Sequence, residues 1–211
     1  MNRRTDSREY FDKVAGRWDA MRQTYFSERV RDVALSEAEV QRGTLAADVG
    51  AGTGFVTTGL IRRGLKVLAI DESLPMLRVL RSKTRGIPDV CFCVGSAEHI
   101  PVRNSVVDYV FANMCLHHVA QPAAAIADMA RILVNEGALI ITDLDAHAFE
   151  FLVQERTDRW LGFNRADLRV WFAQAGLNDV AVSDTGERAH VPSNSSDKCA
   201  DIGIFIARGK K

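Results

Sequence analysis

The sequence predicts an α/β domain built on a mostly parallel sheet with helices on both faces, and three observations carry that reading. From residue 44 onward short apolar runs alternate with segments of helical periodicity, the pattern of strands joined by crossover helices. The runs TLAADVG, KVLAID and VVDYVFA are nearly continuously apolar, which suits strands buried on both faces of a parallel sheet. A chain of 211 residues that is 47% apolar can fill one large core without needing a second.

Taken in order, the first forty residues read as helix. Tyr10, Phe11, Val14, Trp18 and Met21 recur at helical spacing, and a similar stripe runs from Phe26 to Val40 before Gly43 ends the pattern. Strands are expected at 44–49, 66–71, 89–94, 106–112, 137–143, 178–183 and 201–208. Helices are expected at 54–63, 74–83, 122–133, 147–157 and 165–175. Residues 187–197, rich in Ser and Asn around Pro192, read as a mobile loop or a hairpin.

The 27 basic residues balance the 27 acidic ones, so composition gives no electrostatic reason to expect a nucleic-acid or membrane-surface partner. A small-molecule substrate is the expectation. Cys91, Cys93, Cys115 and Cys199 lack zinc-like double pairing, and no metal is expected. The start MNRRTDSREY lacks the apolar core of a signal peptide, and no apolar run approaches the roughly 20 residues that cross a bilayer. A soluble, cytoplasmic protein is therefore expected, with homodimerisation left open.

The most informative segment is ADVGAGTGF. Asp48, Gly50, Gly52 and Gly54 follow an apolar strand and precede a helical pattern containing Leu60 and Ile61. Glycines here let the backbone turn tightly and approach a ligand, while the helix start presents unpaired N–H groups. A dinucleotide fingerprint would want glycine or alanine at Phe55, and a phosphate loop would want a following Lys and Ser or Thr. Asp48 would repel a pyrophosphate but could hold the cationic amino group of a methionine moiety, which favours S-adenosylmethionine over a nicotinamide dinucleotide. Asp71 ends the next strand near the offset at which an acid meets ribose hydroxyls. Each feature alone has a plainer reading, a strand-to-helix turn and a helix cap.

The segments AADVGAGTGFVTTGLIRRGLKVLAIDESLPMLRVLR, GSAEHIPVRNSVVDYVFANMCLHHV and ARILVNEGALIITDL resemble the class I methyltransferases, closest to the group of ubiquinone and menaquinone biosynthesis C-methyltransferases. The likeness covers about residues 8–145. It implies a Rossmann-like, seven-stranded sheet with the last strand antiparallel, and S-adenosylmethionine as methyl donor. It divides one domain, 1–211, into an N-terminal helical lid (1–42), a cofactor-binding core (43–145) and substrate-side helices with C-terminal strands (146–211).

The resemblance also implies roles. Asp48, Gly50, Ala51, Gly52 and Gly54 would surround the methionine and ribose. Asp71 and Glu72 would meet the ribose, and Leu74 and Met76 would wall the adenine, although Met76 serves equally as ordinary core. The family usually places an acid where Ser96 stands. Ser96, the Ala97 N–H and Glu98 are then the groups left to read the adenine edge. Asn113 and Met114 would face the transferring methyl group, with His117 or His118 as general base. Adjacent histidines are not expected to point the same way from a helix or strand, so the plainer reading packs one under the loop and makes the other a structural donor. Asn135, Glu136 and Gly137 replace the family's usual proline and glycine.

Asp143, at a strand end, would position substrate or cap a helix beginning near Asp145. Tyr10, Phe11, Trp18 and Tyr25 would line the entrance. His147, Arg156, Arg159 and Trp160 are further substrate contacts, unless a solvated helix face accounts for their charges. Methyl transfer by in-line displacement to an oxygen, nitrogen or carbon acceptor is the expected activity. The rivals are a catalytically silent methyltransferase-like binding domain and, opposed chiefly by Phe55, a nicotinamide-dependent oxidoreductase.

Overall fold

The computed structural model describes residues 7–211. Seven strands form one sheet: β1 (Leu45–Val49), β2 (Lys66–Asp71), β3 (Val90–Val94), β4 (Val107–Asn113), β5 (Leu133–Leu144), β6 (Asn178–Pro192) and β7 (Cys199–Lys210). Their order is β3-β2-β1-β4-β5-β7-β6. The first five pair in parallel, and β7 runs antiparallel to both neighbours, as the resemblance implied. The order reverses direction at β1, which lies between β2 and β4 and opens the crevice at the strand ends where ligands bind in such sheets.

Helices α1 (Ser7–Val14), α2 (Trp18–Tyr25), α3 (Arg29–Glu37), α4 (Phe55–Arg62), α5 (Leu74–Lys83), α6 (Pro122–Ile132), α7 (Phe151–Glu155) and α8 (Arg165–Gln174) complete the chain. One face of the sheet packs on α6 and α8 through Val110, Ile126, Met129, Phe172 and Phe205. The other packs on α3 and α4 through Leu35, Leu60, Phe111 and Ile140. Phe111, Phe172 and Phe205 are fully buried, each contributing about 1.5–3 kcal/mol of burial free energy that commits the sheet to this double cover.

The alternating elements of the core fall where periodicity put them, and the differences lie where long-range pairing competes with local preference. The first helical stretch is interrupted by a 3-10 turn at Ala15–Arg17, and α3 begins only at Arg29. The helix expected over 147–157 shrinks to Phe151–Glu155. Its start is drawn into pairing, with the Ala146 and His147 N–H groups donating to Phe163 O and Leu161 O, and its end meets Thr157 at φ 63°. The expected loop at 187–197 is the tip of a long hairpin: β6 continues past a register shift between Asp184 and Arg188 and pairs with β7 to Pro192. Glu155 accepts hydrogen bonds from Ser193 Oγ, Asn194 N and Ser195 Oγ, tying down the turn between the strands.

The distal hairpin buries Ala189, Val191, Ala200 and Ile202 against Tyr25, Phe26, Leu144 and Leu152. It thereby forms a wall opposite α2, above the ends of β4 and β5. Among the described residues no helix is long and apolar enough to cross a membrane.

Candidate active site

At the carboxyl end of β1 the chain turns through Gly50, Gly52 and Gly54, all at positive φ, before α4 begins. Gly54, at φ 94°, also lies against α5: a Cβ there would sit 2.2 Å from Leu80 Cδ1. Gly54 is thus a packing glycine, which corrects its expected place beside the ligand. Asp48 is likewise corrected. It is 2% exposed, and its Oδ2 accepts from the backbone N and Oγ1 of Thr57 at 2.8 and 2.6 Å. The carboxylate satisfies a first-turn N–H of α4, where negative charge meets the positive end of the helix dipole. Burial pushes its pKa up to about 6.

Asp71, at the end of β2, keeps its place at the cleft. Its Oδ2 accepts from Gly52 N and its Oδ1 from Ser73 N, both at 2.8 Å, so one carboxylate fixes the glycine turn and the start of α5. Burial raises its pKa to about 6. Ser73 caps α5 through Met76 N and donates to Asp12 Oδ1 of α1 at 2.6 Å. Lys83, which pairs with Asp19 and donates to Thr53 O, adds a second clasp between lid and turn, completed by Thr53 Oγ1 donating to Asp19.

These elements enclose a strand-end chamber of about 1060 Å³, part of it open to solvent. Gly50, Ala51, Gly52, Asp71, Glu72, Met76, Ala97, Glu98, Asn113 and Met114 all line it, together with Trp18 and His118. Ser96 does not: it pairs with His99 in an isolated bridge, and its Oγ accepts from Glu98 N. Asn113 Oδ1 accepts from Thr142 Oγ1, and Met114 is held at φ 49° by its N–H to Thr142 O. A left-handed methionine is a strained feature of the kind that gathers at ligand sites.

A second, lid chamber of about 520 Å³ adjoins the first. Phe11, Trp18, Phe26, Met114 and His118 line both, forming the boundary. Tyr10, Tyr25, His117, Arg156 and Asp158 line the second, with Leu144, Leu152, Ala189 and Val191 as its apolar wall. His117 and His118 lie in a 3-10 turn, and their ring centroids are 4.0 Å apart. Against expectation both face one chamber, because a tight turn spaces neighbours differently from a strand or an α-helix.

Asp143 neither meets the cavity nor caps the helix expected to begin near Asp145. Fully buried, it accepts from His117 Nδ1 at 2.6 Å and from the N–H groups of Leu116 and Leu144. Although burial alone would lower it, the Asp143 and Asp158 carboxylates hold the His117 pKa up at about 9, so this imidazole is a cation at neutral pH. His118 is the opposite case. Burial and the neighbouring His117 charge push its pKa well down, and its buried Nδ1 has no hydrogen-bond partner. His118 is therefore a neutral ring with an open acceptor nitrogen. His117 Nε2 and His118 Nδ1 lie 3.9 and 4.0 Å from Asp158 Oδ1, close enough for the three side chains to share a divalent ion once His117 gives up its Nε2 proton, with Asp143 orienting His117 from behind.

Other expectations fall outside the cleft. Trp160 is 40% exposed, and its indole donates to Val119 O at 3.0 Å, fixing the segment over the 3-10 turn. His147 Nδ1 accepts from Phe149 N, and the residue lines neither chamber. Sequence reading missed Arg22, Phe26, Phe55 and Asp158 as site residues. The ring that rules out a dinucleotide turn also builds the lid contact, since Phe55 packs 5.6 Å from Phe26 and lies 4.2 Å beneath the Arg22 guanidinium. A cationic residue four places after Trp18 on a lid helix was the available signal for Arg22.

The comparisons agree with this geometry. Residues 47–141 match a family model described as a methyltransferase domain. An uncharacterized methyltransferase of Mycobacterium tuberculosis is 44% identical over 92 residues, covering 44% of this chain and 36% of its own length. The match thus spans about a third of that relative. A demethylmenaquinone methyltransferase of Thermobifida fusca is 29% identical over 169 residues, 78% of this chain and 70% of that protein. In fold, the chain resembles one from a Haloferax volcanii complex of the Trm112 methyltransferase activator and a methyltransferase, with TM-score 0.79 at 22% identity, covering 95% and 96% of the two chains. Over residues 47–141 the chain is thus similar to methyltransferase domains, and its fold is that of solved methyltransferase structures.

Proposed function

We propose that the protein transfers a methyl group to a small molecule held in the lid chamber, with cofactor in the strand-end chamber. The observation that carries this reading is the pair of adjoining cavities whose shared boundary includes Met114, Trp18, Phe11 and His118. The residues of the first cavity fit S-adenosylmethionine: two positive-φ glycines keep the turn clear of side chains, Asp71 and Glu72 offer acceptors for ribose hydroxyls, and Met76 presents an apolar face. Bound there, that cofactor supplies a methyl group already activated on a sulfonium.

The protein's own contribution is placement and exclusion of water. Holding an acceptor in line at the boundary removes about 7–11 kcal/mol of barrier, provided the reacting atoms are already at contact distance. Held by Gly50, Gly52, Asp71 and Met76, that cofactor would supply its methyl group to an acceptor in line with the carbon–sulfur bond and would leave as S-adenosylhomocysteine. If the acceptor is an O–H or N–H group, His118 Nδ1 accepts a hydrogen bond from it and orients it at the boundary. His117, kept cationic by Asp143, serves as positioning residue and as a fixed positive charge behind it. The relatives' names, among them a demethylmenaquinone methyltransferase, support a small-molecule acceptor.

Calorimetric titration of S-adenosylhomocysteine into wild type and Asp71→Ala tests the assignment. Wild type is expected to bind in the micromolar range. The variant, deprived of the carboxylate that fixes Gly52 and Ser73, is expected to bind at least ~30-fold more weakly, since hydrogen bonds to a charged group contribute about 1.5–3 kcal/mol each. No binding to wild type overturns the reading.

A further inference from the structure

The lid chamber contains a positive charge with no counter-charge in contact. Arg156 is 9% exposed, and its hydrogen bonds end on neutral oxygens: Glu155 O, Pro192 O and Asn194 Oδ1. Its Nε is buried and has no hydrogen-bond partner. Two carboxylates lie near enough to feel its charge, and both are engaged elsewhere. Asp158 lies against His117 and His118, and Glu155 is taken up by the hairpin turn at Ser193, Asn194 and Ser195. Burying an unpaired cation costs several kcal/mol, so a stable fold with one implies that something else pairs with it.

Tyr10 repeats the pattern. Its hydroxyl is buried without a hydrogen-bond partner, in the same chamber. Burial raises the Tyr10 pKa, and Arg156 opposes that rise both through its charge and through a side-chain approach to the hydroxyl, which puts the phenol and the guanidinium side by side. Of the five buried side-chain polar atoms left without partners among the described residues, three belong to residues lining this one cavity: Tyr10 Oη, Arg156 Nε and His118 Nδ1. The first two can donate toward an anion, and the third is a neutral acceptor at the chamber boundary. Around them the walls are apolar, supplied by Leu144, Leu152, Ala189 and Val191. Tyr25 presents its ring 5.6 Å from the Arg156 guanidinium, a flat surface against which a planar ligand could stack.

We propose that the lid chamber selects an acidic acceptor: a small apolar molecule whose carboxylate or phosphate monoester sits on Arg156 and Tyr10, leaving its other end beside Met114 and His118. A bidentate acid would satisfy the guanidinium and the phenol together. The inference rests on the methyltransferase reading for the identity of the boundary, but binding of the acid is measurable independently of methyl transfer.

The experiment is calorimetry with benzoate, phenyl phosphate and the neutral benzamide as probes, on wild type, Arg156→Met and Tyr10→Phe, with and without saturating S-adenosylhomocysteine. At least one acid is expected to bind wild type 10-fold or more tightly than benzamide, and the stronger of the two identifies carboxylate or phosphate. Arg156→Met is expected to lose at least 10-fold in acid affinity, and Tyr10→Phe about 3-fold, with S-adenosylhomocysteine binding changed less than 3-fold in either. Equal binding of benzamide, failure of both acids, or full acid affinity in Arg156→Met overturns the proposal. Should Arg156→Met melt before assay temperature, unchanged affinity of both acids in Tyr10→Phe overturns it. Acid binding without S-adenosylhomocysteine binding would sink the methyltransferase reading while leaving this one standing; the converse sinks only this one.

Discussion

The two chambers are built on different principles. The floor of the strand-end chamber is made by short stretches within 50–53, 71–76, 95–98 and 113–115, each following a parallel strand whose neighbours dictate where it ends. The acid at its floor is satisfied in advance, with Asp71 bound by Gly52 N and Ser73 N before any ligand arrives. The lid chamber draws single residues from α1, α2, the 3-10 turn after β4, the segment after α7, and the β6–β7 hairpin. It leaves three polar atoms unpartnered. A pre-satisfied frame suits a ligand common to many proteins, whereas unsatisfied groups on dispersed elements suit a ligand peculiar to one.

The sharpest way to break the first frame is Gly54→Val. A side chain at φ 94° against Leu80 combines left-handed strain of roughly 1–2 kcal/mol with overpacking of about 1–3 kcal/mol. Denaturant unfolding should show a loss of about 2–5 kcal/mol, the sum of the two. A loss under about 1 kcal/mol would mean that α4 and α5 are not locked together at this glycine.

The second frame can be sharpened through pH. With the His117 pKa raised from its ordinary 6.5 to about 9, the folded state holds a proton that the unfolded state releases, so the stabilisation is fully present below pH 6.5 and is lost as pH rises through 9. For a buried imidazole this amounts to roughly 3 kcal/mol at most. Unfolding free energy measured from about pH 6 to about pH 9.5, a window spanning both values, should fall in wild type and fall less in His117→Gln. Identical pH profiles would remove the claim that Asp143 and Asp158 keep this ring charged.

The smallest effect concerns the clasp that joins the two regions. Lys83→Met removes a partner from Asp19 and from Thr53 O, at a cost of about 0.5–1.5 kcal/mol for a half-exposed contact. Hydrogen exchange in α1 and α2 should quicken while the sheet is unaffected. Unchanged exchange would show that the lid is held by its apolar packing on α5 and the Ser73–Asp12 hydrogen bond without help from Lys83.

The core strands and the glycine turn were legible because parallel strands buried on both faces and their crossover helices leave periodic marks that need only nearby residues to interpret. Glu72, Met76, Ala97 and Met114 were placed at the cleft by the family resemblance, and Asp71 by its offset from the glycine turn as well. Asp48 and Gly54 belong to the same motif, yet their roles turned on partners outside it, Thr57 and Leu80, so the motif named the turn without saying which of its residues faces outward.

The sequence by itself determined the α/β class, the strand-end crevice and the turn that floors it, since these follow from local periodicity and from the conformations glycine alone tolerates. Only the tertiary structure decided that β6 and β7 reach past the sheet to wall a second chamber, that two adjacent histidines share it in opposite charge states, and that Arg156 and Tyr10 meet there. Those outcomes depend on burial and on charges brought together from segments far apart in the chain, and neither burial nor distance is written in the order of its residues.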